Sequence, residues 1–247
     1  MSKENVLVTG CFGKIGYPIC KKLLDNGYKV FGIDIKAEKI NLTALKIYRK
    51  NFKYFKFNLQ HQNISKLASI VKKNNINNFV HCSYPKLKIY NEEKNINKNL
   101  FFENIEKQLL IPLNLSLNLI NIFKKNRIGK IVLLSSIQGI SSPKFEHYMG
   151  TKMKSPLDYT IIKSSIISMT KYLAKKYGKY NININCVSPG GILNNQNKKF
   201  LKKYKSSCLT KGMLLGSDIS GTILFLLSDD SNYINGQNII IDDGWSL

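Results

Sequence analysis

The strongest constraint on the fold is a regular alternation of short apolar strands with amphipathic helices. The predicted strands are rich in apolar and β-branched residues, and the predicted helices repeat apolar residues every three or four positions. The strands fall at 6–9, 28–34, 54–57, 78–82, 131–135, 182–187 and 237–241. The helices fall at 15–26, 38–51, 65–74, 101–126, 157–177 and 217–228. About seven alternations of this kind predict an α/β fold, a doubly wound parallel sheet flanked by helices.

The domain organisation is simple. The 247 residues contain no internal repeat and no linker, so we predict a single domain over 1–247. The polar segment 84–98 is expected to be an irregular loop. Pro112 has no backbone N–H and must kink or divide the helix at 101–126. The segment 191–213 is expected to be mobile.

Composition and cysteine pattern indicate the cellular compartment of the protein. No apolar run approaches the roughly 20 residues that cross a bilayer, and the N-terminus lacks a signal-peptide pattern. The five cysteines are scattered, odd in number and without Cys-x-x-Cys spacing, which is typical of reduced thiols. These observations predict a cytoplasmic protein with no membrane partner.

The formal net charge of +23 raises the possibility of a nucleic-acid or phosphorylated partner. The lysines are spread along the whole chain without a basic block, and the chain is also rich in Asn and Ile. We attribute the charge to compositional bias of an AT-rich genome. The predicted partner is a small-molecule substrate and not a nucleic acid.

A glycine-rich loop follows the first predicted strand and opens the first helix. Gly10, Gly13 and Gly16 have the spacing Gly-x-x-Gly-x-x-Gly. In a dinucleotide-binding loop the first glycine permits the tight turn, the second admits the pyrophosphate and the third lets helix and sheet pack closely. The pyrophosphate then meets the amides of the helix N-terminus. Further cofactor contacts are expected from the same loop, at Phe12, Lys14 and Ile15.

Asp34 ends the second predicted strand, at the offset expected of an acid that binds the adenosine ribose. A carboxylate there accepts ribose hydroxyls and repels a 2′-phosphate, which favours NAD. Lys14 and Lys36 could each receive that phosphate, so NADP is not excluded. A plain loop cap is the alternative role for Asp34.

Tyr159 and Lys163 are four residues apart and share a face if the segment is helical. A free tyrosine has a pKa of about 10, and a neighbouring ammonium stabilises the phenolate, which suits a general acid/base. Tyr172 and Lys176 repeat this spacing in the same chain, so the spacing alone is not specific.

Taken together, the motifs resemble the short-chain dehydrogenase/reductase family, whose members have a Rossmann fold, over nearly the whole chain. They occur in the family's order: Thr9 to Gly16, Ser135-Ser136, Tyr159 to Lys163, Pro189-Gly190, Gly236-Gln237 and Asp242-Asp243-Gly244.

The resemblance implies an oxidoreductase that acts on CH–OH groups without a metal. It makes Ser136 the residue that binds the substrate oxygen, Tyr159 the acid/base, and Lys163 both a ribose ligand and the modulator of the tyrosine pKa. The family's fourth catalytic residue, an asparagine, corresponds to Gln108. Pro189, Gly190 and Ile192 would lie along the nicotinamide, and Asn58 and Leu59 would border the adenine. The long helices imply a homo-oligomer, a dimer or tetramer.

Besides Gln108, the chain departs from the family in two further places. Ser136 and Tyr159 are 23 positions apart, more than is usual in the family. The extra segment, 143–156, is expected to form the substrate mouth together with 191–213, and the ordinary role of its His147 is loop packing. His81-Cys82-Ser83-Tyr84 replaces the family's usual Asn-Asn-Ala-Gly.

Within the family, the insertion and the run Pro189-Gly190-Gly191-Ile192 resemble the flagellin-modification oxidoreductases of surface-glycan biosynthesis. That resemblance implies a sugar or activated sugar as substrate, in nonulosonic acid-type synthesis. Two alternatives stay open: a 3-oxoacyl-[acyl-carrier-protein] reductase-like enzyme, and a non-catalytic nucleotide-sensing or nucleic-acid-binding Rossmann protein.

Overall fold

Seven parallel strands form one sheet in the computed structural model, which describes residues 4–36, 43–48, 50–59, 64–86 and 95–247. The strands are β1 (Asn5–Thr9), β2 (Lys29–Asp34), β3 (Phe52–Lys56), β4 (Ile76–His81), β5 (Gly129–Leu134), β6 (Ile182–Pro189) and β7 (Asn238–Ile241). Their order is β3-β2-β1-β4-β5-β6-β7, and every neighbouring pair is parallel. The predicted Rossmann-type sheet is confirmed.

Helices cover both faces of this sheet. They are α1 (Gly16–Asp25), α2 (Ile64–Lys73), α3 (Lys98–Ile105), α4 (Ile111–Asn126), α5 (Leu157–Tyr177), α6 (Lys198–Lys205) and α7 (Gly216–Leu227). Successive side chains of a strand point to opposite faces, so Leu7 joins the core under α2, α4 and α5, whereas Val6 and Val8 join the core under α1 and α7. Two covered faces explain why β5 and β6 are buried along their whole length.

Two predicted segments lie partly outside the described residues. The helix predicted at 38–51 is described only at 43–48 and 50–51, where a 3₁₀ turn spans Lys46–Tyr48. The irregular loop predicted at 84–98 is described at 84–86 and 95–98, and α3 begins at its last residue.

The helix predicted at 101–126 is divided, as the proline in it requires. A π-helical turn, Glu106–Leu110, separates α3 from α4, and Pro112 lies in the first turn of α4. Pro112 has no N–H to donate, and the amide before it, that of Ile111, donates to the Glu106 carbonyl five residues back, which is the pattern of a π-helical turn. Gln108 therefore lies within the π-helical turn, a kind of irregularity found frequently at functional sites.

The segment 191–213 differs from expectation, because it contains α6 and is held at several points. Phe200 and Tyr204, one helical turn apart, are buried against Trp245. The Tyr204 hydroxyl accepts a hydrogen bond of 2.6 Å from the Gly191 amide. The carboxylate of Asp243 accepts the amides of residues 210–212. The sequence held local signals for α6 that the prediction missed, because Phe200 and Tyr204 have helical spacing and the Asn197 side chain caps the helix at the Lys199 amide.

Candidate active site

A cavity of about 840 Å³ opens at the carboxyl ends of the strands, where the strand order reverses between β1 and β4. Ligands of open α/β sheets bind at this switch point. The cavity contains nearly all of the predicted site residues: Gly10, Gly13, Lys14, Ile15, Asp34, Asn58, Leu59, Gln108, Ser136, Tyr159, Lys163, Pro189, Gly190 and Ile192. Phe12 and Gly16 were also predicted, and they lie behind the lining.

Backbone atoms pack so closely in the glycine loop that Gly10 and Gly16 leave no space for a Cβ atom. Gly10 has φ of +67°, and a Cβ there would lie 2.8 Å from the backbone of Ser83. A Cβ on Gly16 would lie 2.0 Å from the Gly10 carbonyl oxygen. The loop therefore forms a backbone cradle at the start of α1, which fits the pyrophosphate of a dinucleotide.

Asp34 both caps the loop and lines the cavity. One carboxylate oxygen accepts the Phe12 amide at 3.1 Å, and the other accepts the Ile35 amide at 2.8 Å. The Phe12 ring is buried edge-on against Tyr54 at 4.9 Å between ring centroids. The Phe12 amide thus helps to fix the Asp34 carboxylate at the cavity wall, so the capping role of Asp34 is observed and its ribose-binding role stays a prediction.

The serine, tyrosine and lysine predicted to act together do lie together. Ser136 follows β5, and Tyr159 and Lys163 lie on the first turns of α5. Ser136 and Tyr159 form a side-chain hydrogen bond. The Ser135 hydroxyl instead donates to the Lys163 carbonyl at 2.7 Å, and Lys163 Nζ donates to the Leu134 carbonyl at 3.0 Å. This geometry supports Ser136 over Ser135 as the serine of the site.

Burial sets the protonation of the pair. It raises the pKa of Tyr159, an effect that the hydrogen bond from Ser136 partly opposes. Burial also lowers the pKa of Lys163 to about 8. The sequence predicted a tyrosine pKa lowered by the lysine; in the protein alone, desolvation of the phenolate outweighs that effect. The phenol therefore keeps its proton at neutral pH and can donate it.

The side chain of Gln108, which corresponds to the family's fourth catalytic residue, is hydrogen-bonded to backbone. Its Nε2 donates to the Pro85 carbonyl, so the amide group is engaged by the segment after β4. Its Oε1 is buried and has no hydrogen-bond partner among the residues that the structure describes. Gln108 lines the cavity, yet its amide nitrogen is committed to backbone.

Two further residues of the site come from the segment that departs from the family pattern. The Tyr84 ring meets the Tyr159 ring edge-on at 6.0 Å. His81 is buried, and its Nδ1 lies 2.9 Å from the Thr9 hydroxyl. Burial, together with the Lys163 charge, lowers the pKa of His81 to about 3, so it is a neutral core histidine. The unusual His-Cys-Ser-Tyr run was the one sequence signal for Tyr84.

The insertion at 143–156 forms one wall of the cavity. Its His147 is buried among three aromatic side chains and lies 2.9 Å from the Ser207 hydroxyl. Lys203 of α6 donates to two carbonyls of the insertion. The aromatic partners of His147 are Phe200, Tyr204 and Trp245. Trp245 had no distinguishing sequence pattern, because its contacts are all with distant residues.

Polar side chains continue this wall toward the serine of the site. The Gln138 amide donates to the Tyr148 hydroxyl at 3.2 Å and accepts from the Ser155 hydroxyl at 2.7 Å. All three residues line the cavity, as does Lys154. The wall therefore offers hydrogen-bonding groups and one lysine to a substrate beside Ser136.

The part of the chain that the structure describes contains neither a metal-binding cluster nor a membrane-spanning helix. In that part no three His, Cys, Asp or Glu side chains lie together as a metal ion would require. None of the helices described is long and apolar enough to span a bilayer.

The doubly wound sheet, the glycine cradle and the Ser–Tyr–Lys set define a nicotinamide-dependent oxidoreductase. Residues 13–246 match the model of the family described as "Enoyl-(Acyl carrier protein) reductase". The chain belongs to the short-chain dehydrogenase/reductase family.

Particular relatives give finer similarities. The chain is 35% identical to post-translational flagellin modification protein A of Campylobacter coli over 261 aligned residues, with 100% of both chains covered. It is 28% identical to the 3-oxoacyl-[acyl-carrier-protein] reductase of Buchnera aphidicola subsp. Schizaphis graminum, with 99% and 98% covered. A short-chain dehydrogenase of Leptospira borgpetersenii with bound NAD⁺ superposes with a TM-score of 0.89 at 27% identity, with 100% and 94% covered.

Proposed function

We propose that this protein transfers hydride between NAD and an alcohol or carbonyl carbon of a sugar or activated sugar in surface-glycan biosynthesis. The observation that carries the proposal is the Ser136–Tyr159 hydroxyl pair beside the glycine cradle, in one cavity. The sugar class rests on the full-length similarity to flagellin modification protein A. The hydrogen-bonding wall of Gln138, Tyr148 and Ser155 suits a substrate with several hydroxyl groups.

In this proposal the cofactor lies along the sheet edge. The backbone cradle at Gly10, Gly13 and Gly16 holds the pyrophosphate, and Asp34 accepts the adenosine ribose hydroxyls. The adenine borders Asn58 and Leu59, and the nicotinamide end borders Pro189, Gly190 and Ile192. When bound, the nicotinamide ring supplies or accepts the hydride.

The protein's own residues handle the oxygen and the proton. Ser136 orients the substrate oxygen, and Tyr159 donates its proton to that oxygen as negative charge develops there during reduction. Lys163 stabilises the resulting phenolate and binds the nicotinamide ribose. In oxidation the same groups act in reverse, with the Tyr159 phenolate accepting the proton.

A substrate panel tests the proposal. Absorbance at the NADH wavelength is followed with NAD⁺ or NADH in the presence of sugar phosphates, nucleotide sugars such as UDP-N-acetylglucosamine, and acetoacetyl-coenzyme A. We expect turnover with at least one sugar derivative and none with the thioester. Turnover of the thioester alone would reject the sugar assignment while leaving the oxidoreductase class in place.

The ketoacyl reductase alternative has two specific supports. One is the similarity to the Buchnera aphidicola reductase, and the other is the net charge of +23, which suits an acidic carrier protein. The thioester arm of the panel decides between the two enzymes. For the nucleic-acid-binding alternative, a gel shift that persists at physiological salt would be required, since charge-driven binding weakens steeply with salt.

Replacing Asp34 by asparagine is expected to change cofactor preference. Asparagine keeps an acceptor for the Phe12 amide but removes the charge that repels a 2′-phosphate, so the NADPH/NADH affinity ratio should rise about tenfold. The measurement is a fluorescence titration with each reduced cofactor. Asp230→Asn, which removes a charge near Tyr28 and Lys130 at the amino ends of the strands, away from the cavity, is the control and should leave the ratio unchanged. An unaltered ratio in Asp34→Asn would mean that this carboxylate only caps the loop.

A further inference from the structure

Tyr84 lies between the nucleotide loop and the catalytic helix. It comes three residues after the end of β4, and the preceding residue, Ser83, packs so closely on Gly10 that a Cβ on that glycine would lie 2.8 Å from its backbone. The position of Tyr84 is thus fixed by the same backbone contact that shapes the glycine loop. Its side chain lines the cavity and is 52% exposed.

The Lys163 ammonium lies between two tyrosine rings. Its Nζ is 5.6 Å from the centroid of the Tyr84 ring and 5.6 Å from the centroid of the Tyr159 ring. The two rings meet edge-on, at an interplanar angle of 85°. Both distances lie within the range of a cation–π interaction, which is strongest where the cation has lost its water.

The buried Lys163 ammonium has no ion-pair partner in the ranges that the structure describes. The residue is 7% exposed. The titratable groups that face it are His81, Cys82 and the two tyrosines. Burial raises the pKa of the Cys82 thiol to about 12 and raises the pKa of both phenols, so all four groups are neutral at neutral pH.

An ammonium has three donors, and the Leu134 carbonyl takes one of them. The electron-rich ring faces are therefore the main remaining stabilisation that the described residues give to the charged form. Gln108 supports the arrangement, because its amide donates to the carbonyl of Pro85, the residue that follows Tyr84.

We propose that Tyr84 is a positioning residue whose ring keeps the Lys163 ammonium charged and in place beneath Tyr159. This inference rests on the proposed role of Lys163 as a cofactor ligand. The proposal also explains why this chain differs from the family pattern at both Tyr84 and Gln108. The Tyr84 ring fills the space beside the ammonium, and the longer Gln108 side chain holds residues 84–85 in place through the Pro85 carbonyl.

The test is the pH dependence of NADH affinity, which requires no substrate. Trp245 is the single tryptophan of the chain and lines the cavity, so energy transfer from it to NADH reports binding. If the ammonium binds the ribose, affinity is full while Lys163 is protonated and declines as the pH rises above about 8. Lys163→Met should abolish this decline.

Two substitutions at Tyr84 separate its ring from its hydroxyl. Tyr84→Leu removes the ring face but keeps apolar bulk, so the onset of the decline should move to lower pH by about half to one unit. Tyr84→Phe keeps the ring, and its onset should match the wild type. Thermal unfolding verifies that both variants fold, and Tyr84→Met replaces Tyr84→Leu if the latter does not.

Several results would overturn the proposal. If the decline in NADH affinity began at the wild-type pH in Tyr84→Leu, the ring would not act on Lys163. If the onset shifted equally in Tyr84→Leu and Tyr84→Phe, the effect would belong to the hydroxyl. A uniform loss of affinity without a change in onset would make Tyr84 merely structural. If Lys163→Met kept the decline, the proposed role of Lys163 itself would fail, which is distinguishable from a failure at Tyr84 alone.

Discussion

Tyr159→Phe is expected to lower kcat by about three orders of magnitude while NADH affinity stays within a few fold of the wild type. The substitution removes only the phenolic O–H, which in the proposed mechanism is the proton donor to the substrate oxygen. The ring still packs against Tyr84 at 6.0 Å, so the fold and the cofactor site should be unaffected. The measurement pairs single-turnover hydride transfer, with the sugar found by the panel, and an NADH titration.

The same helix provides a matched control for this prediction. Tyr172 and Lys176 repeat the four-residue spacing, and Lys176 Nζ lies 5.5 Å from the centroid of the Tyr172 ring. Tyr172 is nevertheless 64% exposed and does not line the cavity. Tyr172→Phe should therefore leave kcat unchanged. Wild-type turnover in Tyr159→Phe would remove Tyr159 from the role of acid/base.

Gly16→Ala is expected to destabilise the fold by at least about 3 kcal/mol, the upper part of the range for overpacking a close contact. The new methyl would lie 2.0 Å from the Gly10 carbonyl oxygen, an atom of the backbone that cannot move without displacing the loop. For a chain of this size the melting temperature should fall by roughly 6–12 °C. Any folded protein should bind NADH weakly, because the cradle is displaced.

Gly221→Ala is the matched control for this substitution, since Gly221 is an exposed glycine within α7. A Cβ there meets no atom within 4 Å. Alanine favours the helix over glycine by about 1 kcal/mol, so the melting temperature should hold or rise. If Gly16→Ala melted at the wild-type temperature, the close packing of helix on loop would not be what requires a glycine at this position.

The insertion at 143–156 lines one side of the cavity. It is joined to α6 by Lys203, to the residues just after α6 by the His147–Ser207 contact, and to Trp245 by a hydrogen bond of 3.1 Å from Lys144 to the Trp245 carbonyl. The walls that surround Ser136 are thus held by contacts within the chain. We infer that differences in substrate between this protein and its relatives arise mainly from this wall, because the Ser–Tyr–Lys set is common to the family.

Most of the fold could be predicted from local sequence patterns. The alternation between strand-like and helix-like spacing of apolar residues predicted all seven strands. The helix predicted at 157–177 has the same bounds as α5. The glycine spacing and the Ser136, Tyr159 and Lys163 positions also followed from motifs and their order. Such features can be predicted from sequence because they depend on residues close along the chain. Those residues set the backbone conformation and determine which side of a strand or helix is buried.

Only the tertiary structure decided how the site residues are held and charged. It joined Asp34 to Phe12, turned Gln108 toward Pro85, and brought Tyr84 to the ammonium of Lys163. It also ordered α6 against Trp245. Each contact joins residues that are far apart along the chain, and each pKa depends on burial. The sequence by itself determined which chemistry this edge of the sheet carries, whereas the depth and neighbours of each group were set by packing.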